Sequence, residues 1–248
     1  MEPILEVADL HVRYGRFEAV RGVSFSVARG SVFGIVGESG SGKSTVARAL
    51  MGLQPIASGS VTNRARSMQM VFQDAVGSLN PRMTVRATLD EVLRVKGTAH
   101  TPGELLSRVG LSSATLDQYP REMSGGQCQR VSVARALACD PEILVADEPV
   151  SALDVSVQAR VLNLLRDLRR EAGMTVLLIA HDLAVVRNVC DDVAVMERGL
   201  FAECGPADGV FAHPQSAYAR RLLAAVPTLP AGVAGLSGET DVFQGKGA

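Results

Sequence analysis

The sequence predicts an α/β fold with a mostly parallel sheet, an N-terminal antiparallel β subdomain and an inserted α-helical subdomain. Three observations predict it. The wholly apolar runs at 32–36, 143–146 and 175–180 read as strands buried on both faces. Each ends at a polar cluster and is followed by helical spacing, the alternation that builds a parallel sheet. From Thr84 to Gln118 the apolar period is helical with no strand between, which predicts a helical lobe.

In chain order, residues 4–12 alternate and read as a strand, Tyr14 to Phe17 as a turn, and 20–27 as the antiparallel partner. Arg29-Gly30 is a second turn before the central strand. After the first helix, Gln54-Pro55 and Ser58-Gly59 predict breaks. Val61 and 68–72 look like further strand, and 77–81 is a loop. Residues 82–135 read as the helical lobe, with Leu89, Val92 and Leu93, then Leu105, Leu106 and Val109, at helical spacing. Asp140-Pro141 ends the helix that closes the lobe. Another helix runs from about 154 to Ala172, where Gly173 stops it. A helix over 183–190, a strand over 193–196, a hairpin turn over 197–200 and a helix over 216–225 complete the series. One domain is expected over 1–226, with a frayed tail over 227–248.

The chemistry begins at Gly37-Glu38-Ser39-Gly40-Ser41-Gly42-Lys43-Ser44-Thr45, which fills every fixed position of G-x-x-x-x-G-K-[ST]. It lies where a phosphate-binding loop must, between a strand and a helix N-terminus. The glycines let successive N–H groups turn inward, and the helix adds the positive end of its dipole. Lys43 can reach terminal phosphates and Ser44 can ligate Mg²⁺. Asp147 and Glu148 stand at the C-terminal end of the 143–146 strand, where open α/β sheets bind ligands. His181 stands at the corresponding end of the next strand. Ser124-Gly125-Gly126-Gln127 opens a helix; by itself it reads as a cap more readily than as a second anion site. Tyr14, as a bare residue, is accounted for by strand-end packing.

Composition narrows the function. The 248 residues are 47% apolar with a formal net charge of −1, which gives no general basic field for nucleic acid. No apolar run approaches the roughly 18 residues of a membrane span. The N-terminus has no basic-then-apolar leader, so a cytosolic protein is expected. Cys128, Cys139, Cys190 and Cys204 form no C-x-x-C pair and are read as reduced, incidental thiols.

The ordered set Tyr14, 37–45, Gln73, MSGGQ (123–127), ILVADEP (143–149), SALD (151–154) and His181 resembles the ATPase subunit of an ATP-binding cassette (ABC) transporter, on a P-loop NTPase core. The likeness spans residues 4 to about 226. It implies that Tyr14 stacks on adenine, that 37–45 hold the phosphates of ATP, and that Ser44, Gln73 and Asp147 hold Mg²⁺. It implies catalytic roles for Lys43 on the phosphates, for Gln73 at the metal or water, for Glu148 on the attacking water and for His181 at the γ-phosphate. Ser124 to Gln127 would close on ATP bound to a second ABC ATPase subunit, and Asp154 would meet that subunit.

Within the family, 72–85, 148–168 and 210–227 resemble importers of oligopeptides, dipeptides or nickel. That implies uptake of peptides, nickel or a metal–metallophore complex. The implied partners are two transmembrane permeases, a second cassette (a heterodimer being favoured over a homodimer) and, indirectly, an extracytoplasmic solute-binding protein. The implied location is the cytoplasmic face of the membrane. Two other readings are a cassette ATPase of DNA repair or the ribosome and a regulatory nucleotide-binding module. A single cassette without heptads or a basic patch disfavours the first, and intact Glu148 and His181 disfavour the second. Three departures from the subfamily stand out: Cys128 in place of Arg, expected to remove a charge near the interface between subunits; Met123 in place of Leu; and a short 56–67 segment.

Overall fold

The computed structural model describes residues 2–150 and 154–225. Strand β1 (Leu5–Tyr14) turns at Gly15 and Arg16 into β2 (Phe17–Val27), and the two pair antiparallel. Strand β3 (Val32–Val36) leads through the glycine-rich loop to α1 (Lys43–Leu50). Strand β4 (Ile56–Asn63) returns to pair with β1, giving a three-stranded sheet in the order β2-β1-β4. Strand β5 (Met68–Val71) precedes the helices α2 (Val85–Lys96), α3 (Pro102–Arg108) and α4 (Gly125–Leu137). Then follow β6 (Ile143–Asp147), α5 (Val155–Ala172), β7 (Thr175–Ala180) and α6 (Leu183–Arg187). The described chain closes with β8 (Asp192–Glu197), β9 (Leu200–Pro206), α7 (Ala207–Ala212) and α8 (Ala217–Ala224). The second sheet has six strands in the order β5-β6-β7-β3-β8-β9, parallel except for the β8–β9 hairpin.

Every residue of β3, β6 and β7 is buried. Successive side chains of these strands enter opposite cores, as the period of two requires. Phe33, Ile35, Ile143, Val145, Leu177 and Ile179 pack toward α1 and the antiparallel sheet. Val32, Val36, Leu144, Ala146, Val176 and Leu178 pack toward α4, α5 and the helical lobe. Each fully buried aliphatic side chain contributes about 1.5–3 kcal/mol, so the sheet is the rigid part from which the loops project.

Two expectations need correction. Ser58-Gly59 does not break the chain. It lies inside β4 at a bulge, where the pairing slips between Ala8 and His11 and Gly59 adopts φ 93° against the Asp9 carbonyl. The hairpin turn at 197–200 leads into β9, as expected of a hairpin, and α7 follows where the sequence marked no element. Strand β9 is an antiparallel edge, half exposed along its length, so it lacks an apolar run. The helix expected over 183–190 is shorter, ending at Arg187.

Away from the loops, Glu142 joins the start of β6 to two other segments. Its carboxylate accepts from Arg29 Nη1 at 3.1 Å, from the Arg66 guanidinium and from the Arg66 backbone N–H at 3.2 Å. These bonds hold the carboxyl down from 4.5 to about 2. A depressed acid contributes stability that is complete above its unfolded value and lost as pH falls toward the folded one. The melting-temperature advantage of the wild type over Glu142→Gln is therefore expected to hold at neutral pH and to shrink between about pH 4.5 and 2. An advantage independent of pH would contradict this account.

Candidate active site

Four adjacent strands deliver the sequence-predicted residues from their C-terminal ends. In sheet order, β5 leads to Gln73, β6 to Asp147 and Glu148, β7 to His181 and β3 to the loop 37–45. The register aligns these exits: Val71 pairs with Ala146, Asp147 with Ile179, and Ala180 with Val36.

The loop has little freedom. Gly37 adopts φ 154°, and a Cβ there would lie 2.1 Å from the Met196 carbonyl, so only glycine fits. Gly42, the N-cap of α1, packs against the Ala19 carbonyl of β2. The Lys43 ammonium folds back inside the loop and donates to the carbonyls of Gly37 and Glu38, both at 2.8 Å. Ser41 is buried and its hydroxyl has no hydrogen-bond partner among the described residues. The Ser44 hydroxyl donates to Asp147 Oδ1 at 2.8 Å.

Glu148 follows Asp147 with a left-handed φ of 46°. Its backbone N–H donates to the Ile179 carbonyl at 2.9 Å, which fixes the turn off the strand. Its side chain meets two neighbours at one oxygen: Gln73 Nε2 donates to Oε2 at 2.9 Å, and His181 Nδ1 lies 3.3 Å from the same atom. A non-glycine residue held at positive φ stores strain of order 1–3 kcal/mol, and such residues gather at functional sites.

Two buried charges lack full compensation. Burial pushes the Asp147 carboxyl above its ordinary range, and the Ser44 bond offsets this only in part. Burial lowers the Lys43 ammonium, opposed by the Glu148 and Asp147 carboxylates. An oxyanion beside Lys43 and a hard cation beside Asp147 would compensate both. The donor set of hydroxyl, carboxylate and amide oxygens suits Mg²⁺, which takes few protein ligands.

Tyr14 and Phe17 pair across the β1–β2 turn, and both are exposed. Their hairpin is the one whose Ala19 carbonyl lies against Gly42. The second glycine turn is separate. No hydrogen bond joins Ser124–Gln127 to residues 37–45 among the described residues. Ser124 and Gln127 instead form a capping box: Gln127 N donates to Ser124 Oγ at 3.3 Å, and Ser124 N to Gln127 Oε1 at 2.8 Å. Gly126 packs on α5, where a Cβ would lie 2.4 Å from Val157 Cγ1. Asp154 caps α5 by accepting from the N–H of that same Val157 at 3.0 Å. Ser124, Gly125 and Asp154 are all exposed. Of the SALD run, Ser151, Ala152 and Leu153 lie outside the described residues.

Cys128 departs from expectation. It faces the inside of the helical lobe, wholly buried, with its thiol against the Pro120 carbonyl at 3.5 Å. It shares the buried stripe of α4 with Val131 and Ala134, at the spacing of one helix face. Its effect is therefore on lobe packing and not on the charge of an exposed surface.

A residue missed from the sequence is Tyr218 of α8, whose hydroxyl accepts from the Glu38 backbone N–H at 3.2 Å. No short motif marks it; the only signal is its place in the 210–227 run that resembles the importers.

The sequence profile of the family described as ABC transporter matches residues 20–151. The oligopeptide transport ATP-binding protein OppF of Bacillus subtilis (strain 168) is 42% identical over 253 residues, which cover 91% of this chain and 83% of that protein. The chain belongs to the ABC transporter family. OppF of Lactococcus lactis subsp. lactis (strain IL1403) is likewise 42% identical, over 92% of this chain and 82% of that protein. Among solved ABC structures, cbiO1 from Clostridium perfringens, part of the complex cbiONQ, superimposes with a TM-score of 0.74 at 27% identity, over 86% of this chain and 92% of that one. The ADP conformation of the ATP-binding cassette MJ1267 gives 0.76 at 25% identity, over 89% and 99%. The α/β architecture is thus that of an ABC ATPase, an enzyme that couples ATP hydrolysis to transport. Among the described residues no helix is long and apolar enough to cross a membrane.

Proposed function

We propose that this chain is the ATP-hydrolysing subunit of an importer of oligopeptides. The observation that carries this reading is the convergence of Lys43, Ser44, Gln73, Asp147, Glu148 and His181 at adjacent strand ends, in a chain whose relatives are named for oligopeptide transport. Nickel or a metal–metallophore complex is the related alternative cargo, and these relatives' names favour peptide.

In this reading Tyr14 stacks on adenine, with Phe17 beside it. The amides of 37–45 and the Lys43 ammonium hold the phosphates. Ser44, Asp147 and Gln73 would hold Mg²⁺, which would neutralise charge on the phosphate oxygens. Glu148 orients and deprotonates the attacking water, and Gln73 and His181 fix the carboxylate that does so. Catalysis is then positioning plus stabilisation of charge on the transferring phosphoryl group.

Ser124, Gly125 and Asp154 are exposed, and no hydrogen bond joins Ser124–Gln127 to residues 37–45 among the described residues. The exposed start of α4 at Ser124 and Gly125 suits the γ-phosphate of a nucleotide bound to a second cassette. That second cassette is more readily a paralogue than a copy of this chain. The solved cassette MJ0796, described as a dimeric post-hydrolysis state with ADP and Pi, has a TM-score of 0.72 at 26% identity. Hydrolysis would remove the phosphate that bridges the pair and let it open.

The cytoplasmic face of two permeases is the proposed seat. A cavity of about 550 Å³ lined by Phe72, Gln73, Asp74, Ser78 and Arg135 joins the site to the lobe. Phe72 and Val76 are exposed apolar side chains beside it, and Phe72 lines a second cavity together with exposed Leu53, a surface suited to a permease segment. The domain is taken as 1–226 with a helical subdomain over about 82–135 and a tail over 227–248, a region that lies outside the described residues from 226 onward. Uptake of labelled oligopeptides by cells tests the reading. Deleting this chain is expected to abolish uptake, and Lys43→Ala to fail to restore it. Full restoration by Lys43→Ala would remove ATP from the account, and unaffected peptide uptake with lost nickel uptake would change the cargo.

A further inference from the structure

The β8–β9 hairpin and α8 close around the outer side of the phosphate loop. The Gly199 N–H donates to the Ser41 carbonyl at 2.8 Å. Further out, the Glu38 N–H donates to the hydroxyl of Tyr218, 180 positions along the chain, at 3.2 Å. Tyr218 is only 6% exposed. Its helix has a fixed start: Ser216 caps it through the Ala219 N–H, and Glu203 of β9 accepts from the amides of Gln215 and Ser216, all at 2.9 Å. Arg221 lies over the Tyr218 ring, 5.7 Å from its centroid, and donates to Glu197 at the end of β8 at 3.4 Å. The tyrosine therefore stands on a frame tied to the central sheet.

The Gly37 carbonyl and the Glu38 N–H belong to one planar peptide unit. Lys43 holds its oxygen from inside the loop at 2.8 Å, and Tyr218 holds its N–H from outside. Rotating that plane breaks both bonds together. Gly37 itself offers little torsional resistance, so the two hydrogen bonds fix the plane.

We propose that Tyr218 is a positioning residue for the phosphate loop. By holding the 37–38 peptide plane from outside, it fixes the Gly37 carbonyl and, through it, the Lys43 ammonium that meets the nucleotide. Helix α8 is thereby part of the frame of the nucleotide site. The inference rests on the reading of 37–45 as the phosphate site, and the test separates the two.

ATP binding is measured on the full chain, and ATP hydrolysis on the assembled transporter, as wild type, Lys43→Ala and Tyr218→Phe. Removing one neutral hydrogen bond is expected to weaken ATP binding roughly three- to tenfold. KM for ATP should rise by the same factor, while kcat at saturating ATP stays within about twofold. The melting temperature of the nucleotide-free protein should hold, because the ring remains. Amide exchange of Glu38, followed by NMR, should be slow in the nucleotide-free wild type and fast in Tyr218→Phe. The wild-type exchange rate decides the matter even if the variant folds poorly. Fast exchange in the wild type overturns the proposal, as does wild-type affinity in Tyr218→Phe. A loss of kcat and stability with unchanged KM also overturns it, since that marks a structural role alone. In each of these outcomes a loss of binding in Lys43→Ala leaves the phosphate site standing. A wild type that does not bind ATP overturns both.

Discussion

Glu148→Gln is expected to lower kcat for ATP hydrolysis by about a hundredfold or more, the scale of losing a positioned general base. The substitution is nearly isosteric. An amide oxygen can still accept from Gln73 Nε2, now at 2.9 Å, so the left-handed turn at residue 148 and the packing around it should survive. What is lost is the negative charge that polarises water and faces His181 at 3.3 Å. ATP affinity should stay within a few-fold of wild type, because in the proposed reading the phosphates meet the loop and Lys43 and not Glu148. The check is phosphate release and equilibrium ATP binding on the same preparations. Unchanged turnover would show that another group handles the water. Parallel loss of binding would show that the carboxylate shapes the pocket instead.

The second large effect is expected at Lys43. Replacing it with alanine should weaken ATP binding about ten- to a hundredfold, the 1.5–3 kcal/mol of a charge-assisted contact. The structure adds a second component. The ammonium also satisfies the carbonyls of Gly37 and Glu38, so its removal leaves both without that donor and loosens the loop. The same variant should therefore speed amide exchange across residues 37–42 in the absence of nucleotide. Tight ATP binding by Lys43→Ala, measured by calorimetry, would place the phosphates elsewhere.

The parts of the site legible in the sequence are those whose chemistry is set by local spacing. Residues 37–45 fix a strand-to-helix turn over nine positions, and Asp147, Glu148 and His181 end apolar runs that could only be buried strands. Ser124 and Gln127 stand three apart, the spacing of the capping box that they form. What could not be read arises from contacts distant in sequence or from surfaces with mixed burial. Tyr218 reaches Glu38 only because the β8–β9 hairpin and α8 fold back on the loop. Strand β9 pairs on one side only and shows no apolar run. The expectation for Cys128 rests on the Arg of the subfamily at that position, and a motif comparison does not show which face of α4 the lobe buries.

The central claim is that the loop at 37–45 is half of a nucleotide site, closed by Ser124–Gln127 of another subunit. Ser124→Arg tests it most directly, because the residue is exposed and makes no bond to this chain's own loop. ATP affinity of the isolated chain and ATP hydrolysis by the assembled transporter are measured side by side. The account predicts unchanged affinity in the isolated chain and loss of most hydrolysis in the assembly. Weakened binding in the isolated chain, or full hydrolysis in the assembly, would contradict it.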